Sequence, residues 1–184
     1  MNRQEYRLAG SGGQGVILAT VILAEAAVLS GKYTAQSQAY GPEARGGFCK
    51  AETIISEEPI GFTKVMNPTF LLALTQKSFD LYAPDTDENC MVLADSTLMV
   101  PEKIPSKHIV QLPILETAKE KLGRLQTANI VAVACINGLL EIAKWPLMEK
   151  AVLMHVPKGT EELNMKALAE GKALAAAWLR ENKK

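Results

Sequence analysis

Near the start of the chain, Gly10-Ser11-Gly12-Gly13-Gln14-Gly15 has the composition of a loop that could hold an anion. It stands between a short strand-like run, Glu5 to Ala9, and a strongly apolar stretch, Val16 to about Leu29, that reads as a helix closed by Ser30-Gly31. At such a junction the loop N–H groups and the positive end of the helix dipole converge, and phosphate is the anion they suit best. Glycine lets the backbone turn sharply and lets a ligand approach without meeting a Cβ. The spacing also satisfies Gly-x-Gly-x-x-Gly, so a nicotinamide or flavin dinucleotide has to be weighed. That reading requires a carboxylate about twenty residues further on, at the end of the second strand. The corresponding segment, Tyr33-Thr34-Ala35-Gln36-Ser37-Gln38, has none; Glu25 lies within the helix and Glu43 past the strand. No Gly-Lys-Ser/Thr follows, so the loop is not a P-loop. A phosphate or CoA site, a dinucleotide site and a purely structural turn remain as readings of this loop.

A second loop, Gly41-Pro42-Glu43-Ala44-Arg45-Gly46-Gly47, sets a carboxylate and a guanidinium among glycines and a proline. Arg45 could clamp a phosphate or carboxylate; equally, a Glu43–Arg45 pair could hold the loop at a subunit contact. The three cysteines, Cys49, Cys90 and Cys135, are far apart with no Cys-x-x-Cys pair. They predict buried free thiols in a reducing compartment, not a self-contained iron–sulfur or zinc site. Of the two histidines, His155 is expected to be partly buried and satisfied, and His108 to face solvent. Asn129 and Asn137, on an otherwise apolar helix, must find hydrogen bonds if buried, by reaching a ligand or by capping a neighbouring loop.

These groups have to be positioned by a layered scaffold. Tyr33–Tyr40 reads as a strand, and Phe48 to Ile55 alternates as a half-buried strand should. Phe70 to Leu74 suggests a strand, Gln76 to Tyr82 a short helix, and Met91–Asp95 and His108–Pro113 two more strands. Three helices close the chain: Ile114 to Leu122, Ala128 to Ala143, and Asn164 to Glu181. Pro146 bars an uninterrupted helix beyond the second of these. Strands alternating with helices predict an α/β layered fold with a largely parallel sheet. The consecutive strands flanking Gly41–Gly47 would add an antiparallel element and make the sheet mixed. No repeat or linker divides residues 1–184, so a single domain is expected.

Composition narrows the class. Hydrophobic residues make up 48% and charged residues 22%, which supports a sizeable core and excludes disorder. Twenty basic and twenty acidic residues leave no basic footprint for nucleic acid. A net charge of zero does little to keep molecules apart, in line with a subunit. The N-terminus has no apolar signal core, and Ile130–Leu140 is too short to span a bilayer. A cytoplasmic protein without a membrane segment is expected.

The two loops together resemble a known pattern. Gly-x-Gly-Gly-Gln-Gly, followed some twenty residues later by Ser37-Gln38-Ala39-Tyr40-Gly41-Pro42-Glu43-Ala44-Arg45-Gly46-Gly47, is similar to the gamma subunits of 2-oxoacid:ferredoxin oxidoreductases. Asn129-Ile130-Val131-Ala132 and Asn164-Met165-Lys166-Ala167-Leu168 extend the likeness over nearly the whole chain. The resemblance implies a three-layer α/β/α fold and an enzyme that converts a 2-oxoacid and CoA into acyl-CoA and CO2 while reducing ferredoxin. It implies alpha and beta subunits carrying thiamine diphosphate and Mg, and a ferredoxin-like (delta) subunit carrying iron–sulfur clusters. It implies that the loop opened by Gly10 meets CoA phosphates through Gly12, Gly13, Gln14 and Gly15, with Arg45 assisting. The loop wording favours 2-oxoglutarate over pyruvate and branched-chain acids. No catalytic residue is expected on this chain, which lacks a Gly-Asp-Gly diphosphate motif and grouped cysteines. The competing readings are a free-standing nucleotide- or CoA-binding regulatory module and, more weakly, a nicotinamide-dependent dehydrogenase.

Overall fold

Alternation builds the first strand: in β1 (Arg3–Ser11), Tyr6 and Leu8 are fully buried on one face while Arg7 projects from the other. The computed structural model describes residues 3–40 and 47–182. After β1 come α1 (Val16–Leu29), β2 (Tyr33–Tyr40), β3 (Phe48–Ser56), β4 (Phe70–Ala73), α2 (Gln76–Tyr82), β5 (Met91–Asp95) and β6 (His108–Leu112). A short α3 (Ile114–Glu116) widens into a π-helical turn over Thr117–Lys121, and α4 (Ala128–Leu140), α5 (Trp145–His155) and α6 (Glu161–Asn182) complete the chain.

The six strands form one mixed sheet in the order β2-β3-β1-β4-β5-β6. β3 runs antiparallel to both its neighbours, and β1, β4, β5 and β6 pair in parallel. Insertion of β3 between β1 and β2 separates the two strands that flank α1, which a dinucleotide-binding unit would place side by side. One face of the sheet contributes Tyr6, Leu8, Ala51, Leu93 and Val110 to a core shared with α1 and α4, and α5 packs against α1. The opposite face packs Leu71, Ala73, Val92 and Ala94 against Phe79 of α2. The architecture is α/β with helices on both sides of the sheet, as expected.

α4 lies in the interior, and α6 packs along it at close range. A Cβ on Gly138 would come within 2.6 Å of the Ala175 Cβ, and one on Gly171 within 2.3 Å of the Val131 carbonyl oxygen. Two sequence expectations need correction here. The helix expected to reach Ala143 stops at Leu140, where Glu141 adopts φ 52° and the Asn137 Oδ1 accepts the Ala143 N–H at 3.0 Å. The loop-capping expectation for Asn137 thus holds. Trp145–His155, not expected to be helical, forms α5: Pro146 sits in its first turn, where a missing N–H costs nothing.

On the α2 side of β1 and β3, the Glu52 carboxylate lies 2.7 Å from Arg7 Nε and 3.0 Å from Lys50 Nζ, and Ser37 Oγ donates to it at 3.2 Å. Burial by itself would push the Glu52 carboxyl up, but the hydrogen bonds and charges of Arg7 and Lys50 outweigh it and hold it below the usual range. A carboxyl with a folded-state pKa below its unfolded value stabilises the fold above the unfolded pKa, about 4.3. That contribution is lost as pH falls through the folded value. In urea unfolding, Glu52→Gln is therefore expected to cost about 2 kcal/mol at pH 7. The gap to wild type should shrink as pH falls below about 4.3 and through the folded value; a gap that does not change with pH would refute this account.

Candidate functional site

The glycine loop connects β1 to α1 by a path that Gly10, Gly13 and Gly15 make possible. Gly10 ends the buried run of the strand, and a Cβ there would lie 2.5 Å from Gln14 Oε1. That oxygen accepts the Ser11 N–H at 2.7 Å, so Gln14 folds back over the strand end and braces its own loop. The Gly12 N–H donates to the Gly47 carbonyl at 2.7 Å and the Gln14 N–H to Ser11 O at 3.2 Å. Gly13 and Gly15 have φ of 93° and 69°, the left-handed region that glycine adopts without strain. Gly15 is the N-cap of α1 and provides no capping side chain. The first-turn N–H groups of α1 therefore point out of the helix without intrahelical acceptors.

Of the residues expected to meet a phosphate, Gly10 and Gly12 to Gly15 thus fall into two groups. The Gly12 N–H and Gln14 Oε1 are committed to the loop itself, whereas Gly13 and Gly15 border a cavity of about 290 Å³. Arg45, Glu43 and the rest of 41–46 lie outside the described residues. Gly47, the end of that second loop, is tied to the glycine loop through the Gly12 hydrogen bond.

The cavity opens between the start of α1, the start of α4 and the connection from α5 to α6. Leu18, Val156, Pro157 and Leu163 give it apolar walls, and Arg124, Asn129, Thr160 and Asn164 give it polar ends. Asn129 sits in the first turn of α4 and is 5% exposed. Its Oδ1 accepts the Ile130 N–H at 2.9 Å, and its Nδ2 makes no hydrogen bond among the described residues. The carboxamide presses against Gly15, where a Cβ would lie 2.5 Å from Nδ2. Gly15 is required twice over, by its backbone angle and by this contact. Arg124 follows Gly123, whose φ is 67°, and its carbonyl accepts the N–H and the hydroxyl of Thr127, at 3.0 and 2.7 Å. The Arg124 side chain is exposed, with no ion-pair partner among the described residues. No described carboxylate lines the cavity. Such a set of donors facing a pocket without acidic groups suits an anion.

The sequence reading singled out Arg45 and left Arg124 unmentioned. Its signal was a glycine–arginine pair directly ahead of an apolar helix whose first turn carries Asn129.

The other reactive side chains sit apart. Cys49, Cys90 and Cys135 are all buried and unpaired, as expected. Burial pushes the Cys90 thiol up to about 12 and raises those of Cys49 and Cys135, which leaves them poor nucleophiles. His108 is exposed at the start of β6. His155 departs from expectation: its ring is partly buried, but Nε2 makes no hydrogen bond and stands 3.5 Å from Glu25 Oε2. The seam between α1 and α5 brings the two side chains close but not into hydrogen-bonding geometry. No three His, Cys, Asp or Glu side chains among the described residues stand close enough to share a metal ion.

Comparison with known proteins assigns this arrangement to a family. The model of the pyruvate ferredoxin/flavodoxin oxidoreductase family matches residues 5–174. The chain belongs to that family. It is 44% identical over 176 residues to the 2-oxoglutarate synthase subunit KorC of Methanocaldococcus jannaschii, covering 94% of each chain. It is 31% identical over 167 residues to the pyruvate/ketoisovalerate oxidoreductases common subunit gamma of Thermococcus kodakarensis, covering 90% of this chain and 83% of that one. The crystal structure of a keto/oxoacid ferredoxin oxidoreductase gamma subunit from Geobacter sulfurreducens superposes with a TM-score of 0.83 at 42% identity, over 96% of this chain and 98% of that one. The chain is a gamma subunit of the 2-oxoacid:ferredoxin oxidoreductases, and so part of an oxidoreductase. No helix among the described residues is long and apolar enough to cross a membrane.

Proposed function

We propose that residues 1–184 act as one domain, the gamma subunit of a cytoplasmic enzyme that converts 2-oxoglutarate and CoA into an acyl-CoA and CO2 while reducing ferredoxin. In this reading the chain helps to bind CoA at the Gly10–Gly15 loop and organises the complex, without a catalytic residue of its own. Thiamine diphosphate, Mg and the iron–sulfur clusters sit on alpha, beta and ferredoxin-like delta subunits. The observation that carries the substrate is the 44% identity to a 2-oxoglutarate synthase subunit over nearly all of both chains, against 31% to a subunit shared by pyruvate and ketoisovalerate enzymes.

Two features support the subunit role. α1 has a single charged residue, Glu25, among fourteen, and its outward stripe of Leu18, Val21 and Val28 is only partly covered. A helix apolar all round suits a site buried on every side, as an assembly would provide. At the ligand end, Gly13, Gly15 and the first turn of α1 leave donors for CoA phosphates.

The test is to tag this chain in its own cells, purify it without oxygen and follow CoA-dependent viologen reduction with a panel of 2-oxoacids. The expected result is co-purifying subunits and turnover that is fastest with 2-oxoglutarate. Fastest turnover with pyruvate or a branched-chain acid would overturn the substrate assignment. A colourless chain without partners, inactive on every acid, would instead favour a free-standing CoA-binding module.

A further inference from the structure

We infer that the outer edge of β2 is a seam on which a second copy of this chain docks. The two β2 strands pair antiparallel about a two-fold axis, and both α1 helices meet on one side of a continuous sheet. This seam stands apart from the CoA and substrate readings above. β2 lies at one end of the strand order, and no strand lies beyond it among the described residues. Its outward N–H and C=O groups are therefore left without a ladder. Proteins shield such edges with charge, proline, bulges or shortness. β6, at the opposite end, is shielded: it has five residues, follows Pro105 and Lys107, begins at the exposed His108 and stops at Pro113. β2 has none of these devices. It is eight residues long, its pairing with β3 is unbroken from Tyr33 to Tyr40, and it carries neither a charge nor a proline.

The helix beside this edge defines the occupant. α1 packs on β2 and β3, the last two strands of the sheet, and α5 takes the flank of α1 that carries Glu25, 3.5 Å from His155. Ile17, Val21 and Val28, spaced four and seven residues apart, form a neighbouring stripe that is only partly covered, with Val28 exposed. An occupant must bring a free strand edge together with an apolar helix on the same side of it. This chain has that unit in β2 and α1, and a two-fold axis normal to the sheet sets strand against strand and helix beside helix. Charge favours a self-partner. β2 is uncharged, the one charged residue of α1 is turned to His155, and the whole chain has a net charge of zero, so two copies meet without repulsion.

Gln36 is exposed near the middle of β2, so a two-fold axis through the strand sets it about 8 Å from its own counterpart. The three native cysteines are buried, which leaves Gln36→Cys as the reactive thiol in the purified complex. A short bismaleimide is expected to join two copies of this chain there. In sedimentation of the full-length chain, Gln36→Lys and Gln36→Glu are each expected to raise the dimer Kd about tenfold or more, with Tm at the wild-type value. A mixture of the two variants is expected to dimerise as wild type does, which damage to the fold would not produce. Amides of residues 33–38 should exchange more slowly in the wild-type dimer than in either variant alone. A cross-link from Gln36→Cys to a different subunit, or none between copies, would overturn the inference. So would a dimer that neither charge weakens, since its seam would then lie elsewhere.

Discussion

Replacing Gly171 by leucine is expected to unseat α6 from α4 and give a protein that fails to fold or unfolds more than 10 °C below wild type, on the order of 3 kcal/mol or more. Gly171 lies inside a long helix, where glycine is the poorer choice by about 1 kcal/mol relative to alanine. What requires it is the approach of α4: a Cβ at this position would lie 2.3 Å from the Val131 carbonyl oxygen and 2.6 Å from the Ala134 Cβ. The first of these atoms is backbone of a helix buried in the interior, so it can yield only if the two helices move apart. Alanine sets the two effects against each other. Packing is expected to win, with Gly171→Ala lowering Tm by about 2–8 °C. A rise in Tm for the alanine variant would show that the seam is looser than described.

The second large effect is expected at Asp95, the last residue of β5. Its carboxylate is fully buried; Oδ1 accepts the Thr97 N–H at 3.0 Å and the Thr97 hydroxyl at 2.6 Å, and Oδ2 accepts the Leu115 N–H at 2.8 Å. One side chain thereby fixes the turn after β5 and the first turn of the helix that follows β6. Asp95→Ala removes three acceptor contacts and strands two backbone donors, a cost of about 3 kcal/mol. Asp95→Asn keeps the Thr97 contacts and turns an N–H toward that of Leu115, so its loss should be intermediate. Urea unfolding of the three proteins checks the order. Equal stability of the alanine variant and wild type would mean that the turn is held by other contacts.

Most of the strand and helix order was legible before any coordinates. The β1–loop–α1 unit follows from alternation, a glycine cluster and an apolar run, all of which act within a few residues. α5 is not legible in the sequence because Pro146 reads as a stop, although proline in a first turn is compatible with a helix. The end of α4 was overrun because Leu140, Ile142 and Ala143 continue its apolar pattern. Only the left-handed turn at Glu141, fastened by Asn137, ends the helix. The contact of Asn129 with Gly15 and the place of Arg124 on the same cavity are not legible in the sequence, since Gly15 is remote from both in the chain and reaches them only when α1 and α4 pack.

The sequence by itself determined the first glycine loop, the α/β layering and a family resemblance that the comparisons bear out, because these rest on local backbone preference and on the period of apolar residues. Tertiary structure alone decided that β3 separates β1 from β2, that Gly171 must stay small, and that Gly13 and Gly15 line a cavity together with Asn129 and Arg124. Each of those depends on which distant surfaces pack together, and residues far apart in the chain do not reveal in their types alone which of them will touch.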